Sequence, residues 1–173
     1  MEAFSDVLTE GGRSNSLGRA SEVVDAVLDD RGRLDELWVC IGHEDPYVRM
    51  RAIDSFEKVV NERPAWANEY VPRIVDELTS SRQPSIQWHV AQLFPQVRLD
   101  ADQRERALGW LRARLATTDV DWIVAVNCMR TLMEFYKQDH VDGQVLRQLF
   151  GLQCDHHSKT VRRKAAEFLG DLD

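Results

Sequence analysis

The stretch Asp45-Pro46-Tyr47-Val48-Arg49-Met50-Arg51-Ala52-Ile53-Asp54-Ser55-Phe56 returns, in altered form, three more times along this 173-residue chain. Anchored on Val48, Ile86, Val124 and Val161, the copies stand 38, 38 and 37 residues apart, a spacing that suits stacked helical pairs. Four positions beyond each anchor lie Ala52, Val90, Cys128 and Ala165; eight beyond lie Phe56, Phe94, Leu132 and Leu169; eleven beyond lie Val59, Val97, Phe135 and Leu172. All are apolar and fall on one face of a helix, so each copy predicts a helix whose stripe packs on the helix before it and on neighbouring repeats. A register anchored on Ile123 instead would desolvate Asn127, Arg130, Thr131 and Glu134, which makes it the poorer choice.

Outward from the first copy, Asp45 reads as an N-cap with Pro46 at the first helical position. A short helix over about 34–41 precedes it, carrying Leu37, Trp38 and Ile41 on one face and stopped by Gly42. Arg63-Pro64 ends the first copy, and Pro72 should kink or split the next helix, whose stripe is Trp66, Tyr70, Ile74, Val75 and Leu78. Asp100-x-x-Gln103 reads as a capping box before Leu108, Leu111 and Leu115. The third copy runs from Asp121 to Lys137, and its helix, Trp122 to Tyr136, is apolar around most of its circumference and should be central and buried. Asp139 is the expected cap of the helix through Leu146 and Phe150, and the fourth copy begins near Ser158. Upstream, residues 1–17 should be a flexible segment with at most one short helical turn near Phe4 to Leu8. A capping helix then carries Val23, Val24, Val27 and Leu28. No stretch alternates at period two, so the class is all-α, with a single domain over 18–173.

The copies resemble the HEAT-like and armadillo-type helical repeats, whose second helix tends to begin Asp-x-x-Val-Arg, then a small residue and a Leu or Phe. Asp45, Val48, Arg49, Ala52 and Phe56 match closely, and Ser158, Val161, Arg162, Ala165 and Leu169 nearly as well. The second copy has Gln87 and the third Ala125 where the family favours Arg. The resemblance spans roughly residues 34–172 and implies a right-handed α-α superhelix of about four pairs with an N-terminal capping helix. It also implies that the second helices line a concave face.

Opposite the stripe, at offsets near 2, 3, 6 and 9, stand Met50, Arg51 and Asp54; Trp88, His89 and Gln92; Asn127 and Arg130; and Arg163 and Lys164. These ten are the expected partner-binding residues, with Trp88 flanked by Arg51, His89 and Arg130 as the focus, because Trp and Arg are enriched at interaction hot spots. Replacing Trp88 and Arg51 by Ala should weaken partner capture at an unchanged melting temperature. Lys159, Arg162, Arg163 and Lys164 crowd the first turns of the last helix, where an anionic partner or a solvated terminal face would account for them.

The net charge of −7 and pI near 5.3 argue against nucleic acid as the main partner. No apolar run is long enough for a bilayer and the start lacks signal-peptide character, so the expected location is cytoplasmic, without membrane contact. Cys40, Cys128 and Cys154 read as core thiols, not a disulfide framework. Cys154-Asp155-His156-His157 holds metal-ligand residue types but falls short of a closed set, and no catalytic or cofactor fingerprint is present. The leading function is a non-enzymatic protein- or peptide-binding scaffold with no cofactor. One alternative is an enzyme similar to the helical-repeat DNA glycosylases, with Trp88, Asp54 and Arg130 presented together. The other is a structural subunit that assembles with itself through an apolar face.

Overall fold

Helix α4 (Pro46–Glu62) shows how a repeat helix is made. Asp45 stays extended and its Oδ1 accepts the Tyr47 amide at 2.8 Å, while Pro46 at the first position has no amide to leave unsatisfied. Val48, Ala52, Phe56 and Val59 are then wholly buried. Helix α4 packs against α1 (Phe4–Thr9), α2 (Ala20–Asp29) and α3 (Leu34–Ile41), with Phe56 edge-to-face on Trp38 at 5.2 Å.

The computed structural model describes residues 2–10 and 16–172, and among them it is all-helical, without a strand. They form two compact units, Met1–Asn68 and Glu69–Asp173. In the first, α1 buries Phe4, Val7 and Leu8 and packs on α2, α3 and α4. The Phe4 amide donates to Glu36 Oε1 at 2.7 Å and the Arg33 guanidinium lies 3.7 Å from the centre of the Phe4 ring. Residues 4–9, expected to form no more than a short turn of a flexible segment, are therefore part of the core. Three apolar side chains that close give the short helix more burial than its length could sustain alone. The expected flexible connection at 11–15 lies outside the described residues.

The second unit contains α5 (Val71–Asp76), α6 (Pro84–Leu93), α7 (Ala101–Leu115), α8 (Trp122–Lys137), α9 (Gly143–Gln153) and α10 (Lys159–Gly170). Helices α6, α8 and α10 pack side by side in that order, while α7 packs on α5, α8 and α9, and α9 on α10. Pro72 sits in the first turn of α5, and Pro64–Tyr70 ahead of it is wound as a 3-10 helix, so the prolines do split this helix. The stripe residues of α6, α8 and α10 are all buried except Leu169, which is half-buried on the last helix. Helix α8 is central, with Val124 to Met129, Thr131 to Met133 and Phe135 all buried.

The capping box of α7 is reciprocal: Asp100 Oδ1 accepts the Gln103 amide at 2.8 Å and Gln103 Oε1 accepts the Asp100 amide at 3.0 Å. The cap of α9 is Asp142, whose Oδ1 accepts the Gln144 amide at 2.6 Å, not Asp139. Asp139 instead adopts a left-handed conformation (φ 59°) and closes α8. The amides of Asp139 and His140 reach back to the carbonyls of Tyr136 and Phe135 at 3.0 and 2.9 Å, a Schellman ending in which Asp replaces the usual Gly. Among the described residues no helix is long and apolar enough to cross a membrane.

Candidate functional site

The turns leading into the repeat helices set the direction of each helix. In the first, His43 Nδ1 accepts the Asp45 amide at 3.0 Å, and Arg49 Nη1 donates to the carbonyls of His43 and Glu44 at 2.7 and 2.8 Å. In the fourth, His156 Nδ1 accepts the Ser158 amide at 2.9 Å, and Arg162 Nη1 donates to the carbonyls of His156 and His157 at 2.7 and 2.9 Å. In the second, Ser81 Oγ and Gln87 Nε2 take the same two places, accepting the Gln83 amide at 3.3 Å and donating to the Ser81 carbonyl at 2.9 Å. The third copy has Ala125 at the Arg position, and its turn is held from outside: His156 is fully buried and its Nε2–H donates to the Val120 carbonyl at 2.8 Å. With Nδ1 accepting and Nε2 donating, one neutral tautomer satisfies both ring nitrogens.

Placed on these helices, the ten expected residues divide. Arg51, His89 and Asn127, all three positions after their anchors, are 3%, 1% and 5% exposed. They face neighbouring chain, not an open groove. Arg51 donates to the carbonyls of Leu8 at 2.7 Å and Thr9 at 3.5 Å, the last turn of α1, and to that of Ser16 at 2.8 Å. A cation is favoured at such a helix end, where carbonyls lack intrahelical partners. Asn127 Oδ1 accepts from Gln92 Nε2 at 3.2 Å, joining α8 to α6, and one turn later Thr131 Oγ1 donates to the Ala91 carbonyl at 2.7 Å. The reason is geometric. At 3.6 residues per turn, offset 3 lies roughly a quarter-turn from the centre of the stripe, on the flank, whereas offsets 2 and 6 lie nearly opposite it.

Offsets 2 and 6 turn outward except on α8, where Val126 at offset 2 is buried. In the first unit they hold Met50 and Asp54, both half-buried, with Asp54 ion-paired to Lys58 at 2.7 Å. In the second unit they hold Trp88 and Gln92 on α6, Arg130 on α8, and Arg163 with Glu167 on α10. Trp88 is half-buried with its ring stacked on His89 at 3.4 Å. Arg130 is exposed and donates to Asn127 Oδ1 at 3.4 Å. Lys164 Nζ donates to Glu167 Oε1 at 2.8 Å, and with Arg163 and Arg130 nearby it holds that carboxyl below the usual carboxylate range. The outward side of α6, α8 and α10 is thus an aromatic ring, an amide, two guanidiniums and a carboxylate, suited to polar recognition and to packing an aromatic against a partner.

The basic cluster of α10 is partly spent within the chain: Arg162 clamps its turn and Lys164 pairs with Glu167, while Lys159 and Arg163 are exposed. Among the described residues no group of three or more His, Cys, Asp or Glu side chains is placed to hold a metal ion. Residues whose roles sequence reasoning missed are His43, His156 and Gln153, the last fully buried with its Nε2 donating to the carbonyls of Leu115 and Thr117 at 2.9 Å each. The His two places before each cap and the Arg four places after it, in copies one and four, were the available signal. Comparisons with protein-family models, with curated proteins and with solved structures found no match.

Proposed function

We propose that the chain is a short HEAT-like solenoid, wound as a right-handed α-α superhelix, that acts in the cytoplasm as a non-enzymatic scaffold. Its partner is a protein or peptide held along the outward side of α6, α8 and α10. The observation that carries this reading is the division of each helix in the second unit. Its stripe is committed to packing, while on the opposite side Arg130 and Arg163 are exposed and Trp88 is half-buried with its ring on His89. Trp and Arg on an accessible helix face are the residue types that anchor interfaces. A face three helices wide distributes affinity in the way stacked repeats do.

The test is partner capture with wild type, the Trp88→Ala/Arg130→Ala double variant and a control carrying Gln144→Ala on the exposed side of α9. A partner retained by wild type and control but lost by the double variant, at matched melting temperatures, supports the reading. Capture indifferent to the double variant contradicts it. Salt-dependent duplex DNA binding with excision of a methylated purine would favour the glycosylase-like alternative instead.

A further inference from the structure

The chain carries a net charge of −7, yet where α8 and α10 face outward Arg130, Arg163 and Lys164 outnumber Glu134 and Glu167. The Glu167 carboxyl records how near the cations lie. Lys164 donates to both of its oxygens at 2.8 and 2.9 Å, and the charges of Arg163 and of Arg130, on the neighbouring helix, also hold it below the usual carboxylate range. No second carboxylate is among the groups that act on it. Glu134, one turn along α8 from Arg130, is exposed and makes no ion pair with it.

Lys164 neutralises Glu167, which leaves the two guanidiniums in excess. Arg130 is steered from one edge: its Nη1 donates to Asn127 Oδ1 at 3.4 Å, and buried Asn127 is itself fixed by donating to the Ile123 carbonyl at 2.8 Å. The rest of its fork of N–H groups points to no partner among the described residues. Arg163 has no hydrogen-bond or ion-pair partner among them either. That alone does not distinguish Arg163, since Arg82 and Arg104 have none; its place beside Arg130, over a carboxylate both of them influence, does. Both side chains are charged at any physiological pH, and each matches a carboxylate in plane and spacing.

We infer, resting on the scaffold reading above, that the partner of this face is an extended acidic peptide segment with one carboxylate on Arg130 and a second on Arg163. Packed helices lie about 8–10 Å apart, the length of about three residues of extended chain, so the two carboxylates belong about three residues apart. A further step of the same length reaches Trp88 on α6, where an apolar side chain of the segment packs.

The probe is the blocked heptapeptide Leu-Ser-Ser-Glu-Ser-Ser-Glu, in this order and reversed, beside versions with Gln for each Glu. Each is titrated into the full chain, followed by the Nε–H resonances of Arg130 and Arg163 and the indole N–H of Trp88. One order of the Glu peptide should saturate, and its Gln version should bind about tenfold more weakly, at about threefold for each exposed ion pair. Arg163→Gln should weaken the Glu peptide about threefold and leave the Gln peptide unchanged, whereas Arg106→Gln on α7 should change neither. The advantage of Glu over Gln should shrink between about 0.05 and 0.5 M salt.

Equal binding of Glu and Gln peptides, indifference to Arg163→Gln, or no saturation below about 10 mM would overturn the inference. Tighter binding of octathymidylate at the same resonances would overturn it in favour of a nucleic-acid backbone. Partner capture that needs Trp88 and Arg130 but ignores Arg163→Gln and salt overturns the acidic partner alone and leaves the scaffold reading in place.

Discussion

The flank and the outward side of the repeat helices carry similar residue types and have opposite fates. Arg51 on the flank of α4 is buried among carbonyls of the N-terminal segment, whereas Arg130 on the outward side of α8 is exposed, bonded only weakly to Asn127. A difference of three helical positions separates the two settings: Arg51 stands at offset 3 and Arg130 at offset 6. Polarity alone therefore does not mark a binding residue in a helical array. What decides is whether another element runs along that flank, and for α4 the element is supplied by chain more than 30 residues upstream, as the 43- and 35-residue separations of the Arg51 contacts record.

The comparison can be broken by substitution. Arg51→Ala strands the carbonyls of Leu8 and Ser16 inside the first unit and removes the packed stem of the side chain, an expected loss of about 3 kcal/mol in urea denaturation. This replaces the expectation that Arg51 could be removed without cost. His156→Ala should cost about 2 kcal/mol, because it unties both the fourth turn and the Val120 carbonyl. His43→Ala should cost less, since the half-buried His43 makes only the first of those two links.

A smaller effect sharpens the contrast within α8. Burial pushes the Cys128 thiol up to about 12, and burial with the nearby Glu36 carboxylate pushes Cys40 up to about 11. A thiol reagent should therefore label half-buried Cys154 in the native protein and reach Cys40 and Cys128 only on unfolding. Native labelling of Cys128 would contradict the packing of α8.

Much of the fold was legible in the sequence because the stripe is a local property. Val48, Ala52, Phe56 and Val59 announce a helix face wherever they recur, and Asp45 and the Asp100/Gln103 pair mark helix starts by chemistry that acts within one turn. The outward side was legible only in part. Trp88, Gln92, Arg130 and Arg163 were placed on the outward side by periodicity. Arg51, His89 and Asn127 were placed there too, since one helix considered alone cannot show what covers its flank. The turn clamps were hidden for a related reason: Ser81 and Gln87 perform the work of His43 and Arg49 with different side chains, so the likeness lies in hydrogen bonds and not in residue identity. Asp139 looked like a cap because Asp often is one, and its left-handed backbone reflects the closing of α8.

The division between packing flank and outward face is tested most directly by urea denaturation of wild type, Arg51→Ala and Arg130→Ala side by side. The account predicts a loss of about 3 kcal/mol for Arg51→Ala and a change within about 0.5 kcal/mol for Arg130→Ala. Equal losses, or a stable Arg51→Ala beside a destabilised Arg130→Ala, would contradict it.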